Sequence, residues 1–507
     1  MYLRKRFFIF DLLKISLKTI HLPLFMNESK PMFELSKKKK AIAEYMDQMA
    51  LKRDRWIKKN QFYYKELIQN LKYSIPENSK IIEIGCGTGY LLNGLNPETG
   101  YGIDISEKMI NQAKENHPHL HFVKMDAEHL DIQETFDFII ISDTIGYFED
   151  VQQAFLELHK ISHPGTRIII TYQNFFWLPF FSPAESLKLK MPSRKINWLN
   201  AKDIANILYL ADLDIIKSER RFLIPKYIPV LSWLFNKYLS HLPVFNFFGL
   251  IDYVIARPML NHPPDNELYS TSVIIPARNE KGNIENAVRR MPRLGKHTEI
   301  IYIEGNSKDD TYEEIKRVAG LYQNEWDIKY AQQEGKGKGD AVRKGFSMAT
   351  GDILMILDAD LTVPPEDLTK FYNAIATGKG EYINGTRLVY PMEKQAMRTL
   401  NIMGNKFFSV MFSWLLGQRM KDTLCGTKVI SRENWAKLSA NRHYFGEFDP
   451  FGDFDLIFGS SKLNLKLLEV PIRYQSREYG STNISRFKHG WLLIKMMFFA
   501  MNKIKFR

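Results

Sequence analysis

The stretch Gly351-Asp352-Ile353-Leu354-Met355-Ile356-Leu357-Asp358-Ala359-Asp360 constrains the fold more than any other. Its unbroken apolar run, Ile353 to Leu357, reads as a short strand buried on both faces, as in a parallel sheet. The run stops at two carboxylates one residue apart. In open α/β sheets ligands gather outside the carboxyl ends of the strands, so an acidic pair here stands where a ligand would bind. Hard cations prefer oxygen ligands, and Mg²⁺ is held by one or two carboxylates plus substrate phosphates. Asp358 and Asp360 therefore read as a divalent-metal grip on a diphosphate, against the plainer reading of an acidic turn after a strand.

A chain of 507 residues predicts two or three domains, and 45% hydrophobic with 25% charged residues is the composition of globular protein. The net charge of +13 suits nucleic acid, an anionic membrane surface or phosphorylated substrates. Basic motifs interleaved with aromatics, as nucleic-acid recognition uses, are not evident, so no nucleic-acid partner is expected. Only Cys86 and Cys425 are present, far apart, which argues against a disulfide framework and suits a reducing cytoplasm. No C-x-x-C or H-E-x-x-H spacing points to zinc. The apolar run Phe7 to Met26 carries Asp11, Lys14, Lys18 and His21 and lacks a small-residue cleavage site, so it reads as neither a span nor a signal peptide. The run Lys37 to Lys40 reads as a solvated helix start.

Residues 41–73 mix charges with Ile, Tyr, Trp and Leu at helical spacing, predicting amphipathic helices. Lys80 to Ile84 is a strand running into Gly85-Cys86-Gly87-Thr88-Gly89 and then a helix from Tyr90 to Leu95. Glycines there let the backbone turn tightly and approach a ligand closely. The next strand ends at Asp104, placed to accept hydrogen bonds from ribose hydroxyls. Strands at His121–Lys124, Phe136–Ile141 and Arg167–Thr171 and a helix at Val151–Ile161 complete a βαβαβ order, hence a mostly parallel sheet. The G-x-G-x-G spacing after Glu83 differs from the G-x-G-x-x-G of nicotinamide dinucleotide sites. Residues 80–172 resemble the class I S-adenosylmethionine-dependent methyltransferases. The resemblance implies that Glu83, Gly85, Gly87 and Gly89 form the cofactor turn and Asp104 holds the ribose. Asp126 and Ala127 would flank the adenine, and Asp143 would lie beside the methionine. Tyr147, Tyr172 and His159 are candidates on the methyl-acceptor side.

From Phe222 to Leu260 the chain is aromatic and broken by Pro225, Pro229 and Pro243. The readings that fit are a segment lying at a membrane interface, or else a buried helical cap on the first domain or a packing surface between domains. Arg257-Pro258 and the proline-rich Asn261 to Asn266 mark a domain boundary.

Beyond it, the strand Thr271–Pro276 leads into Ala277-Arg278-Asn279-Glu280, the strand Glu299–Ile303 into Glu304-Gly305-Asn306, and Lys336-Gly337-Lys338-Gly339-Asp340 opens a helix. Together with Asp358 and Asp360 these polar clusters fall on one rim of a sheet. Residues 270–490 resemble family 2 glycosyltransferases of the GT-A fold, in particular those that load sugars onto dolichyl or other polyprenyl phosphates. The resemblance implies donor binding by Pro276, Ala277, Arg278, Glu280, Glu304, Lys338, Asp340, Asp358, Ala359 and Asp360. Asp358 and Asp360 would hold Mg²⁺ or Mn²⁺. Glu304-Gly305 replaces the family's usual pair of aspartates. Asp422, in the loop Lys421–Lys428, would contact the donor sugar, and Asp453 or Asp455 would be the base for a hydroxyl acceptor. A lipid phosphate needs cations instead, and Arg473, Arg477, Arg486 and Lys488 supply them.

The expectation is an α/β protein of two domains. A tail (1–40) precedes a methyltransferase-like Rossmann domain (41–260), a linker (261–268) and a GT-A domain (269–507). Implied is a metal-dependent, inverting transfer of a sugar from a nucleoside-diphosphate donor to a polyprenyl-phosphate or glycan acceptor, fused to an S-adenosylmethionine-dependent methyltransferase. The apolar tail Trp491–Met501, with Lys503, Lys505 and Arg507, suggests peripheral association with the inner face of the cell membrane. The competing classes are a membrane-docked scaffold with degenerate nucleotide sites and a methyltransferase with an inactive glycosyltransferase domain.

Overall fold

The computed structural model describes residues 35–194, 197, 199–260, 268–390, 399–441, 453–477, 479 and 486–506. The run Phe7 to Met26 and nearly all of the linker 261–268 lie outside them. Two helices come first. Helix α1 (Lys37–Lys59) is capped by the Ser36 hydroxyl, which accepts from the Lys39 amide, and α2 (Gln61–Ser74) follows a break at Asn60. Their apolar stripes, Ile42, Ala50 and Ile57, then Leu67 and Leu71, are buried.

The first sheet comprises β1 (Lys80–Ile84), β2 (Thr99–Asp104), β3 (His121–Lys124), β4 (Phe136–Ser142), β5 (Ser162–Gln173), β6 (Leu213–Arg221) and β7 (Ile251–Pro258). Their order is β3-β2-β1-β4-β5-β7-β6, and β7 alone runs antiparallel to both of its neighbours. The sheet is therefore mixed. Strand β7 corrects two expectations. All eight of its residues are buried, so the end of the aromatic stretch is sheet interior, neither cap nor membrane segment. Arg257-Pro258 is likewise inside the sheet and not boundary. A strand covered on both faces shows no alternation, and aromatic neighbours hid it in the sequence. Strand order reverses between β1 and β4, which opens a crevice at their carboxyl ends.

The second sheet comprises β8 (Ser270–Ala277), β9 (His297–Glu304), β10 (Asp327–Gln332), β11 (Ile353–Ile356), β12 (Tyr382–Thr386), β13 (Lys428–Ser431) and β14 (Leu467–Pro471). The order is β10-β9-β8-β11-β13-β12-β14, with β13 antiparallel to β11 and β12. Strand β11, which delivers the acidic pair, is central and fully buried. The apolar tail is a helix, Arg486–Ala500, that packs Leu493, Met496, Met497 and Ala500 into the core and leaves Trp491 and Phe498 exposed. One face of it is therefore core. No helix among the described residues is long and apolar enough to cross a membrane.

Buried charge joins the two sheets. From β5, Arg167 reaches Glu381 (2.7 Å) and the Asn464 carbonyl (2.9 Å). From β7, Arg257 donates to the Gly378 carbonyl (2.8 Å) and lies 3.7 Å from the same Glu381. Lys466 crosses the other way to Asp214 (2.7 Å). Arg167 and Arg257 are 4% and 1% exposed, and a charge this far from water persists only when paired. Glu381→Ala is expected to lower stability by about 3–5 kcal/mol, because it leaves the buried Arg167 without a carboxylate and Arg257 with Asp214 alone, 3.4 Å away. Urea unfolding measures this, and an unchanged midpoint would show that the junction carries no load.

Candidate active sites

At the carboxyl end of β1 the chain turns through Gly85, Gly87 and Gly89, all with positive φ (75°, 53° and 76°). A Cβ on Gly85 would stand 2.5 Å from the Thr144 hydroxyl, so only glycine fits. The turn borders a cavity of about 390 Å³. Gly85, Gly87, Asp104, Asp126, Ala127 and Asp143 all line it, brought together from four strand ends.

Glu83 and Gly89 are not among the lining residues. The Glu83 carboxylate instead accepts from the Leu92 amide (3.1 Å), tying β1 to the helix Tyr90–Leu95, and burial pushes its pKa up to about 8. A Cβ on Gly89 would lie 2.6 Å from the Phe122 ring. Both shape the turn from behind.

Asp104 accepts from the Gly87 amide and the Ser106 amide, each at 2.9 Å. Asp126 pairs with Lys39 at 2.5 Å, and Glu128 joins at 2.9 Å. Burial lowers the Lys39 pKa, but Asp126 and Glu128 more than offset it and hold it above its ordinary value. The run does open a helix, with Lys37, Lys38 and Lys40 exposed, and Lys39 alone departs from a solvated face, buried against the cavity. Asp143 has φ 54°, an uncommon conformation outside glycine. One of its oxygens accepts from the Tyr63 hydroxyl at 3.2 Å; the other, Oδ1, is buried without a hydrogen-bond partner.

Sequence reasoning missed Arg53. It comes from α1, lines the cavity, and its Nε lies 3.5 Å from where a Cβ on Gly87 would be. Among the described residues it has no hydrogen-bond or ion-pair partner. Tyr64, opposed by burial, and then Tyr147, Asp104 and Asp143 raise its pKa. An unpartnered carboxylate oxygen and an unpartnered guanidinium at one glycine turn fit a zwitterionic ligand, as the amino-acid end of S-adenosylmethionine is. Of the acceptor-side candidates, Tyr147 lines the cavity, with burial raising its pKa. Tyr172 is buried outside the lining, and His159 is bound to the Ala211 carbonyl (2.7 Å), a structural contact.

The second site lies where β11 ends. Asp358 pairs with Lys338 at 2.5 Å and Asp360 with Arg477 at 2.5 Å. Burial raises the Asp358 pKa, but Lys338, with Lys428 and Arg387 behind it, holds the carboxyl below its ordinary range. Leu361, at φ 52°, turns the chain so that Thr362 donates to Asp360 from its amide (3.2 Å) and hydroxyl (2.8 Å). The Gln475 amide then bonds the Thr362 carbonyl (2.9 Å), which brings Arg477 over the acidic pair. Arg477 also reaches Glu280 (3.2 Å), whose pKa burial pushes up to about 7 against the pull of Arg477. Gly426 presses so close that a Cβ there would meet Asp358 Oδ2 at 1.9 Å and Lys338 Nζ at 2.5 Å. Two carboxylates already matched by cations are a donor set that fits a divalent ion completed by phosphate oxygens.

Other predicted residues fall around this centre. Glu304, at the end of β9, accepts from the Ser307 amide (2.5 Å) and Gln332 (3.1 Å). Asp340 accepts from the Gly335 amide (2.8 Å). Pro276 and Ala277 end β8, Arg278 is exposed and Ala359 is buried. Asp422 presents no free oxygen: it is fully buried and receives Arg387 Nε (2.7 Å), Arg387 Nη2 (2.8 Å) and the Arg387 and Leu424 amides. Burial raises its pKa, but Arg387 more than offsets this and holds it low. Its geometry is that of a residue positioning Arg387, a partner that sequence reasoning missed. Asp455 lies 3.9 Å from Arg343. Arg473 is exposed, over the Tyr390 ring. The side chains of Asp453, Arg486 and Lys488 lie outside what the structure describes.

The two constellations are thus a glycine-turn cavity in the first domain and an acidic pair matched by cations in the second. Residues 272–435 match the family model Glycosyl transferase family 2, and residues 56–218 match a Methyltransferase domain model. The dolichol-phosphate mannosyltransferase of Saccharomyces cerevisiae is 37% identical over 258 residues, covering 44% of this chain and 93% of that protein. The chain belongs to family 2 of the glycosyltransferases, through its C-terminal half, and carries a methyltransferase domain before it. A low-salt glycan biosynthesis hexosyltransferase of Haloferax volcanii is 27% identical over 237 residues, 46% of this chain. The chain spans only 54% of that relative's length. A solved S-adenosylmethionine-dependent methyltransferase of Thermotoga maritima is 18% identical, over 43% of this chain and 99% of its own, with a TM-score of 0.34.

The buried Glu83 makes a pH prediction. Its folded pKa of about 8 lies above the ordinary 4.5, so the folded state keeps a proton that the unfolded state releases. Its contribution to stability is full below pH 4.5 and is lost as pH rises towards 8. Glu83→Gln, which keeps an acceptor for Leu92, should flatten that decline in urea titrations at pH 5 and pH 8. Equal pH dependence in both proteins would refute the assignment.

Proposed function

We propose that the C-terminal domain transfers a sugar from a nucleoside diphosphate to a polyprenyl phosphate, with inversion, and that the N-terminal domain binds S-adenosylmethionine and methylates a separate acceptor. The observation that carries the first part is the matched pair Asp358–Lys338 and Asp360–Arg477 at the end of β11, beside Glu280. Asp358 and Asp360 hold Mg²⁺ or Mn²⁺, and Lys338 lies beside them to meet the diphosphate. The bound metal supplies charge stabilisation to the departing nucleoside diphosphate. An oxygen of the acceptor phosphate attacks the anomeric carbon, a new C–O bond forms on the far face, and the bond to the diphosphate breaks.

The state of the carboxylates supports a phosphate acceptor over a glycan hydroxyl. A hydroxyl nucleophile needs a base; of the candidates, Asp422 is saturated by Arg387 and Asp455 lies 3.9 Å from Arg343, while the side chain of Asp453 lies outside the described residues. A lipid phosphate is already anionic and needs cations, which Arg473 and Arg477 supply. Such an acceptor puts the enzyme at a membrane, peripherally, on the cytoplasmic face.

Thermal shift with UDP and GDP, with and without Mn²⁺, tests the sugar site. A metal-dependent rise, absent in Asp360→Ala, is expected, and at a hundredfold over the dissociation constant it corresponds to about 2.7 kcal/mol. No shift with any nucleotide would favour a scaffold. In the other domain, Arg53 holds the carboxylate of the methionine moiety and Asp143 its ammonium. Arg53→Met should weaken S-adenosylhomocysteine about tenfold or more, the scale of one charge-assisted bond, and leave 5′-methylthioadenosine, which lacks the amino acid, unchanged. Calorimetric titration of both ligands decides it. Parallel losses would place Arg53 outside the contact.

A further inference from the structure

The first domain carries a large exposed aromatic face. Phe176 stacks edge-on against Trp177, Phe247 and Phe248, each at 5.4 Å, Phe247 against Phe248 at 5.3 Å, and Trp177 against Phe180 at 5.4 Å. The Trp177 indole donates to the Phe248 carbonyl (2.9 Å), which fixes the two segments to each other. Burial is the ordinary fate of such rings, yet Phe180 is 54% exposed and Phe247 52%, with Val244 beside them at 74%. A contiguous apolar face of this kind marks an interaction site.

Its occupant is indicated by charge. Across residues 174–200 and 222–250 the sequence has six lysines and arginines and a single acid, Glu185. That acid is already bound by Lys190 and Ser193. Leu187, Lys188 and Leu189 are exposed, and Arg220, paired with Asp252 at 3.0 Å, lies over the Phe247 ring. Exposed phenylalanines in two segments with this excess of lysine and arginine complement the headgroup region of an anionic bilayer.

The same wall faces two ways. The helix Leu178–Ser186 exposes Phe180 while Phe181 and Ala184 line the glycine-turn cavity. Phe247 and Phe248 are followed directly by Leu250 and Ile251, which line it too. We propose that this aromatic face docks the protein on an anionic phospholipid bilayer, with the methyltransferase cavity directly behind the docked wall. The proposal names the face for the membrane association argued above and rests on that reading.

Sedimentation of the full chain with vesicles tests it, using phosphatidylcholine alone and phosphatidylcholine with phosphatidylglycerol. The native chain is expected to sediment with the anionic vesicles and not with the neutral ones. Phe180→Glu/Phe248→Glu should reduce that binding by at least about tenfold, while Leu321→Glu, an exposed leucine of the second domain, leaves it unchanged. A retained thermal shift with S-adenosylhomocysteine shows that the double variant is folded. Vesicle binding equal to the native chain's would overturn the proposal. So would a dimer in light scattering that the double variant dissolves while the native chain ignores vesicles, since a second copy would then cover the face. Native chain that binds vesicles yet moves no sugar to detergent-dispersed polyprenyl phosphate would remove the transferase reading and leave docking intact. Native chain that moves sugar but ignores vesicles would remove docking alone.

Discussion

Arg167 and Arg257 leave neighbouring strands of the first sheet and meet at Glu381 of the second, and the arrangement of the two halves depends on that meeting. A buried ion pair adds little net stability over apolar packing of the same volume, because desolvation consumes most of the attraction. What it does add is intolerance of error. A shift of one half against the other would leave the Arg167 guanidinium in a dry interface without a carboxylate, and Arg257 with only Asp214 of its own sheet. Lys466 on Asp214, and Asn464 on the Ser74 carbonyl (3.0 Å), impose the same condition from the second half. The polar junction thus fixes the orientation of two ligand crevices that belong to separate sheets.

The two crevices treat charge in opposite ways. In the second, Asp358 and Asp360 are each matched by a cation of the chain itself, so negative charge is compensated before any metal arrives. In the first, one oxygen of Asp143 is buried without a hydrogen-bond partner, and Arg53, half-buried, lines the same cavity. Buried polar groups in proteins are nearly always satisfied, so the orphaned Asp143 oxygen, in a cavity that Arg53 also lines, marks a place for a ligand.

Strand-end chemistry was legible in the sequence because it is local. Gly85 to Gly89 after one apolar run, Asp104 after the next and Asp358-Ala359-Asp360 after a third lie within a few residues of the strands that place them. Their convergence at the crevice of a reversing strand order follows from topology alone. Strand β7 was not legible, because an apolar segment read without its neighbours has the same composition whether it forms a strand, a cap or a membrane-facing helix. Glu83 and Gly89 were assigned to the cofactor by motif, whereas the turn directs the carboxylate to Leu92 and packs the glycine on Phe122.

The sequence by itself determined the two α/β halves, their order and the acids and glycines at the strand ends, since a strand and the turn leaving it are set by adjacent residues. Only the tertiary structure decided which charges meet. Lys39 lies 87 residues from Asp126, Arg387 35 from Asp422, and Arg477 117 from Asp360. Electrostatic partnership falls off over a few ångströms in space and is indifferent to separation along the chain, so no local pattern encodes it. The same holds for the aromatic face: Phe176 and Phe247 are apolar residues like any other until folding brings them together and leaves them uncovered.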